Sequence, residues 1–400
     1  MSTLVVDTAA DPRDEGFGLY VHWPFCVSKC PYCDFNSHVV DHIDQLAWHD
    51  AYLRELSHFA AQTPNRPLTS IFFGGGTPSL MDPATTAAVI EAAKAHWKPA
   101  SDLEITLEAN PGTVDADRFS AFKEAGVNRL SMGVQSLNEN DLRFLGRKHS
   151  VSEAQKAWRA AAKVFPRVSF DLIYARPGQS ADAWRGELET ALKEVRDNNI
   201  SHLSLYQLTM EDGTAMAADY ALKKFTLPSE DAASDMFEIT NELCKAAGFP
   251  AYEISNHAHA GQECRHNMVY WRGGDYVGVG PGAHGRMTLN DGARAVRQIK
   301  APALWLKRVS AENHGTQEIE PLDHKSRAEE MIMMGLRLTE GIHAARFERL
   351  TGLPIKSLLN EGKFAQLEAQ GFITFTQNRL RATAAGRLAL NEVLRQLLAD

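Results

Sequence analysis

The sequence has no run approaching the roughly 20 consecutive apolar residues that a membrane-spanning helix requires, so none is expected anywhere in its 400 residues. Cysteine is scarce: the chain has five, Cys26, Cys30, Cys33, Cys244 and Cys264. An odd, small number without a secretory pattern argues against a disulfide framework. Positive charge is also in deficit, with 42 Lys and Arg against 50 Asp and Glu and a net charge of -8. Nucleic-acid binding wants a basic footprint, so no nucleic-acid partner is expected. The opening residues, MSTLVVDTAADPRDEG, lack a basic start followed by a long apolar stretch. They read as a short disordered lead over residues 1–15, not as a signal peptide. A cytoplasmic location is expected, with peripheral membrane contact left open. No low-complexity tract or sequence repeat is present. The length suits one large domain with a smaller one, or two to three average domains.

From about residue 17, short apolar runs alternate with amphipathic stretches. Strands are expected from Gly18, Ser70, Leu103, Arg129, Val168 and His202. Helices are expected over Asp44–Ala61, Asp82–His96, Asp115–Ala125, Val151–Val164, Asp182–Val195 and Glu230–Ala247. Six strand–helix units imply a parallel sheet. The predicted fold class is α/β: a partial (β/α)6 TIM-like barrel, with a doubly wound sheet as the alternative. In the barrel, chemistry gathers at the C-terminal ends of the strands, where the polar and glycine-rich motifs of this chain fall. Residues 250–300 are Gly- and aromatic-rich and are expected to be loop-like, extending the main domain over 16–310. The texture changes near Pro321. Helices from Ser326, Ala344 and Ile355, the pair GFITFTQNRLRAT turning at Gln377-Asn378, and a last helix Ala384–Leu398 suggest a winged-helix-like module within 311–400.

Three of the five cysteines lie in Phe25-Cys26-Val27-Ser28-Lys29-Cys30-Pro31-Tyr32-Cys33, a C-x3-C-x2-C spacing just after the first strand. Three thiolates on one loop can hold three irons of a [4Fe–4S] cluster. Ordinary clusters take four cysteines, so one iron is left open, and the amino and carboxylate groups of S-adenosylmethionine (SAM) can chelate it. Structural zinc, with His38 or Asp34 as fourth ligand, is the competing reading, although the paired C-x2-C elements usual for zinc are missing. Cys244 reads as a buried inert thiol and Cys264 as a loop thiol.

The triad spacing, with an aromatic before its last cysteine, resembles the radical SAM superfamily. The further runs YVHWPFC–CPYCDF, GGGTPS, EANP, GVQS, GRKHS, DLIYARPGQ and SLYQLT are similar to oxygen-independent coproporphyrinogen III oxidases and their relatives, from about residue 17 to the C-terminus. The resemblance implies a [4Fe–4S] cluster on Cys26, Cys30 and Cys33. It also implies a SAM site from the counterparts of Tyr20, Tyr32, Gly75, Gly76, Thr77, Glu108, Gln135, Arg147 and Asp171. Reductive cleavage of SAM would yield a 5′-deoxyadenosyl radical. Ala175-Arg176 departs from a commoner Gly-Leu, and little consequence is expected from it.

Within that family, oxidases carry a further cysteine two residues after the triad, where this chain has Phe35. They also have a longer region before the cluster. The run His266-Asn267-Met268-Val269-Tyr270-Trp271 matches the H-N-x-x-Y-W signature of the radical SAM haem chaperones. That resemblance implies haem as ligand and haem-requiring respiratory proteins as acceptors, with His266 as axial ligand. Met268 could be a second ligand, and His257, His259 and His284 rank below His266. His22 is expected to orient the cluster loop. Homodimerisation and contact with a membrane-bound acceptor are implied by the resemblance alone. Anaerobic coproporphyrinogen oxidation is the runner-up activity, and radical methylation of a tetrapyrrole a third.

Overall fold

The structure, a computed structural model, describes residues 15–398. The lead expected over 1–15 therefore lies outside the described residues except for Glu15. Six parallel strands come first: β1 (Phe17–Trp23), β2 (Pro67–Gly75), β3 (Lys98–Ala109), β4 (Arg129–Gln135), β5 (Arg167–Tyr174) and β6 (His202–Gln207). They lie side by side in sequence order. That order excludes the doubly wound alternative, whose strand order reverses at a switch point. The sheet does not close. Beyond β6 it takes an antiparallel strand β7 (Asn256–Ala258), and beyond β1 it continues through β8 (Asp275–Val279), β9 (His284–Leu289), β10 (Gly292–Gln298) and β11 (Thr316–Leu322). The expectation that 250–300 is loop-like is thus corrected. Its glycines sit at turns and at close strand contacts: a Cβ at Gly278 would strike the backbone of His284. The short aromatic runs between them are strands and one helix, Arg265–Trp271.

Helices follow each parallel strand, and most begin at an Asp or Ser whose side chain accepts a backbone N–H of the first turn. Examples are Asp44, Asp82, Asp115, Ser180 and Ser229. Ser150 and Glu153 form a reciprocal capping box.

The parallel strands alternate with a period of two, and their polar residues face inward. One inner row across paired positions runs Gly18, Ser70, Glu104, and another runs Arg129, Arg167. Higher up lie Glu108, Ser131, Ser169 and His202, then Gly133, Asp171 and Ser204. The alternate positions, such as Leu19, Val21, Ile71, Phe73, Ile105, Leu107, Leu130, Met132, Phe170, Leu172, Leu203 and Leu205, are buried in one core with the helices. The fold is held from outside the sheet, which leaves a polar interior available for a ligand.

A second core joins the helices His324–Gly335, Ala344–Thr351, Glu361–Ala369 and Leu390–Leu397 to a small sheet of β12 (Ile342–His343), β14 (Arg379–Ala382) and β13 (Ile373–Thr376). Gln377 and Asn378 make the hairpin turn with φ of 53° and 57°, the left-handed pair that a two-residue turn demands. The single last helix expected over Ala384–Leu398 breaks at Ala389, giving Ala384–Leu388 and Leu390–Leu397.

Candidate functional site

The loop after β1 carries Cys26, Cys30 and Cys33, all half-buried and free. It is clamped against the loops that follow β2 and β4. Gly76 N–H donates to Trp23 O at 2.7 Å and Thr77 N–H to Phe25 O at 2.8 Å. A Cβ on Gly76 would stand 2.6 Å from Phe25 O, so the glycine run is required where the two loops touch. Gly146, at φ +69°, makes the same close approach to Pro31. The neighbouring Arg147 then donates to Cys30 Sγ at 3.4 Å and to Gly133 O at 2.6 Å. Thr77 Oγ1 donates to Cys26 Sγ at 3.3 Å. Donors aimed at sulfur favour thiolate, against burial, which pushes the Cys26 and Cys33 thiols up.

Above these sulfurs lies a cleft of about 350 Å³, within the range of small-molecule sites. The three cysteines, Tyr32, Gly75, Gly76, Thr77, Glu108, Gln135, Arg147 and Asp171 all line it. Tyr20 does not. Its hydroxyl meets His22 Nδ1 at 2.9 Å, and it faces an adjoining cleft that shares Phe35, Gly75 and Glu108 with the first. His22 Nε2 lies 2.9 Å from Asn36 O, so this histidine ties the far end of the cysteine loop to β1.

Glu108 accepts from Gly75 N–H at 3.2 Å. Burial, reinforced by the nearby Asp171 carboxylate, raises its pKa to about 8. Burial likewise raises Asp171 to about 6, opposed by Ser204 and Arg129. Two desolvated carboxylates facing one cleft are poised for a cationic ligand, whose charge would let both ionise. Gln135 sits at φ +77°, a sparsely populated conformation for a non-glycine residue and one that clusters at functional sites. Further cleft residues escaped the sequence reading, among them Asn110, Ser131, Tyr206 and Glu211. Ser131 and Tyr206 could have been found as inner-row members of the two-residue period. Glu211 follows β6 in a loop and carries no such signal.

Among the described residues no three Cys, His, Asp or Glu side chains converge enough to hold one metal ion. A single zinc would need that convergence. A cubane cluster takes one thiolate per iron, spread over three corners, and three separate sulfurs lining one wall suit it.

Three expectations are corrected. Cys264 is no loop thiol: it is buried at the N-cap of the Arg265–Trp271 helix and donates to Glu104 at 3.5 Å. His266 is on that helix, fully buried, not on an accessible loop. Its Nδ1 meets Ser70 Oγ at 2.9 Å and its Nε2 meets Tyr270 Oη at 2.6 Å. Its ring stacks on Phe72, and burial holds its pKa down at about 3. As packed, neither ring nitrogen is open to iron. The signature helix instead floors the barrel beneath β1, β2 and β3, with His266 N–H on Glu104 at 3.2 Å and Arg167 on the same carboxylate at 2.6 Å.

The third correction concerns Ala175-Arg176. Ala175 takes φ 57°, a left-handed position that costs a non-glycine residue about 1–2 kcal/mol. Arg176 is buried and donates to Ile173 O at 2.6 Å, bonds Glu187, and pairs with Asp141 at 2.9 Å. Glu187 also accepts from Ser136 Oγ and Leu137 N–H, both at 2.7 Å. The departure therefore builds an ionic knot directly after Gln135.

A TIM-like barrel with three cysteines on its first strand–helix loop and a polar cleft above them defines the radical SAM class. Residues 20–191 match the Radical SAM superfamily, and residues 322–389 match the HemN C-terminal domain. The chain is 39% identical to the Heme chaperone HemW of Escherichia coli (strain K12), over 96% of this chain and 98% of that one. It is 37% identical to the Heme chaperone HemW of Haemophilus influenzae, over 97% and 100%. It is also 38% identical to the mitochondrial Radical S-adenosyl methionine domain-containing protein 1 of Bos taurus, over 97% and 88%. The chain belongs to this HemW family of radical SAM proteins. Its fold matches that of the coproporphyrinogen III oxidase (HemN) of Escherichia coli with a TM-score of 0.77 over 96% of this chain and 90% of that one, at 22% identity. Radical SAM membership implies a [4Fe–4S] cluster and SAM.

Proposed function

We propose that this protein binds haem and passes it to haem-requiring respiratory proteins. In this reading a [4Fe–4S] cluster sits on Cys26, Cys30 and Cys33, and SAM lies in the adjoining cleft. The observation that carries the reading is end-to-end likeness to a relative named as a heme chaperone. Arg147, near Cys30, would pair with the SAM carboxylate as a charge-assisted bond. Glu108 and Asp171 would take its cationic groups, and Gln135 the ribose. The cluster supplies one-electron chemistry when bound. The chain's own part is to hold SAM dry and oriented against the sulfurs.

The competing activity is oxidative decarboxylation of coproporphyrinogen. Phe35, 56% exposed, occupies the position where the oxidases carry a further cysteine, which disfavours it. Anaerobic incubation with coproporphyrinogen, SAM and reductant separates the two readings. No vinyl-bearing product and saturable haem binding are expected. A vinyl product, or no haem binding, would overturn the chaperone. No described helix is long and apolar enough to cross a membrane.

A further inference from the structure

We propose that the haem iron is held by His284, in the tyrosine-lined cleft beside the cysteine pocket, with the propionates on the basic strands β9 and β10. The inference rests on the haem-binding reading above and names its site.

Haem asks a site for three things: an iron ligand, flat apolar walls and cations for two carboxylates. The cleft, of about 390 Å³, has Tyr20, Tyr270 and Tyr276 on its walls and Met334 from the C-terminal module. Tyr270 packs edge-on against Tyr276 at 4.4 Å between ring centroids. His284 opens β9, lines the cleft, is exposed to solvent and makes no side-chain hydrogen bond among the described residues. The positive charges of Arg286, Arg297 and Lys300 all act on its ring. The two arginines are paired with Glu330 and Glu318, each partner partly exposed, and Lys300 has no ion pair among the described residues. Arg286 lies two residues on from His284 along β9, and Arg297 pairs with His284 across β10, which places both cations beside the imidazole at the edge of the cleft.

The other candidate ligands fail on geometry. His22 and His266 have both ring nitrogens bonded. His257 is buried. His259 bonds Gly248 O and lines a different cleft. Tyrosine can hold haem iron, but only as phenolate, and burial raises the hydroxyl pKa of Tyr20, Tyr270 and Tyr276. A neutral imidazole needs no such cost, and burial, with the nearby cations, lowers the pKa of His284. The cleft shares Gly75 and Glu108 with the cysteine pocket, so haem there would lie next to SAM.

The test is haemin titration of the full-length chain followed at the Soret band, for wild type, His284→Ala, His284→Gln and His266→Ala. Affinity is expected to fall roughly tenfold or more in both His284 variants, since even partners of a metal ligand are worth 10–100-fold. Millimolar imidazole should restore the wild-type spectrum to His284→Ala, which a merely structural role would not allow. His266→Ala, if folded by circular dichroism, should bind haem as wild type does. Wild-type binding with His284 variants unchanged in affinity and spectrum would overturn the site and leave the haem reading standing. Absence of saturable binding in wild type would overturn the haem reading itself.

Discussion

Replacing Arg176 with leucine, the residue expected there from the family, tests whether the ionic knot after β4 matters. In the wild type the guanidinium is 2% exposed, Glu187 9% and Asp141 29%. Removing one partner of a buried pair costs about 3–5 kcal/mol, because the remaining charge is stranded. Glu187 is not wholly stranded: Ser136 Oγ, Leu137 N–H and Gln179 Nε2 still donate to it. Asp141 can turn to water, and the buried leucine recovers part of the loss. A net cost of about 2 kcal/mol is therefore expected for Arg176→Leu. Adding Glu187→Gln removes the stranded charge while keeping an acceptor for Ser136 and Leu137. The double variant should then be more stable than the single one, a coupling of about 1 kcal/mol or more. Urea unfolding followed by tryptophan fluorescence measures both, with Trp184, on the same helix as Glu187, fully buried as a reporter. Because Ser136 follows Gln135, the single variant should also bind SAM several-fold more weakly. A loss below about 0.5 kcal/mol, the usual size of a surface substitution, or strictly additive effects, would refute the reasoning.

Glu108→Gln tests the desolvated carboxylate pair. Between its ordinary value and about 8 the folded protein holds a proton on Glu108 that the unfolded chain releases. The stability of the ligand-free protein should therefore fall as pH rises through that window. Thermal unfolding of Glu108→Gln should match wild type near pH 4 and exceed it at pH 8. An equal slope in both proteins would count against the raised pKa. At the cluster, replacing any one of Cys26, Cys30 or Cys33 with alanine should strip iron and sulfide from anaerobically reconstituted protein. Replacing Cys244, which is buried in the core, should leave the cluster absorbance intact.

The parallel strands were legible because their alternation is strong: Leu103-Glu104-Ile105-Thr106-Leu107-Glu108 reads as a two-residue period without ambiguity. Helix starts were legible through Asp and Ser caps. What the pattern hid was the direction of the faces. An alternating strand normally turns its apolar side to the core, and here the core lies outside the sheet, between strands and helices. Once that inversion is allowed, Ser131 and Tyr206 fall on the ligand side with Glu108 and Asp171. The strands β8 and β9 were missed because Gly278 and Gly285 interrupt their period. Those glycines let backbones approach closely, which sequence composition cannot distinguish from a loop. Arg176 was misjudged for a different reason. A charge beside Pro177 and Gly178 looks solvated, and only the fold brings Glu187 and Asp141 to it.

The signature His266-Asn267-Met268-Val269-Tyr270-Trp271 shows how a motif can identify a family while its most reactive residue serves packing. His266 binds β2 through Ser70 and β3 through Glu104, and Glu104 in turn holds Arg167 on β5. Freeing the imidazole for iron would break two hydrogen bonds and unstack it from Phe72. Each buried polar group left unpaired costs about 1–3 kcal/mol. That cost falls in the floor of the barrel, where it would disturb β1, β2 and β3 together. The same helix, by contrast, presents Tyr270 to the open cleft at no such cost. The motif thus has two faces, one that seals the barrel and one that walls the cleft. The proposed haem site uses only the second, with His284 lining the same cleft as Tyr270.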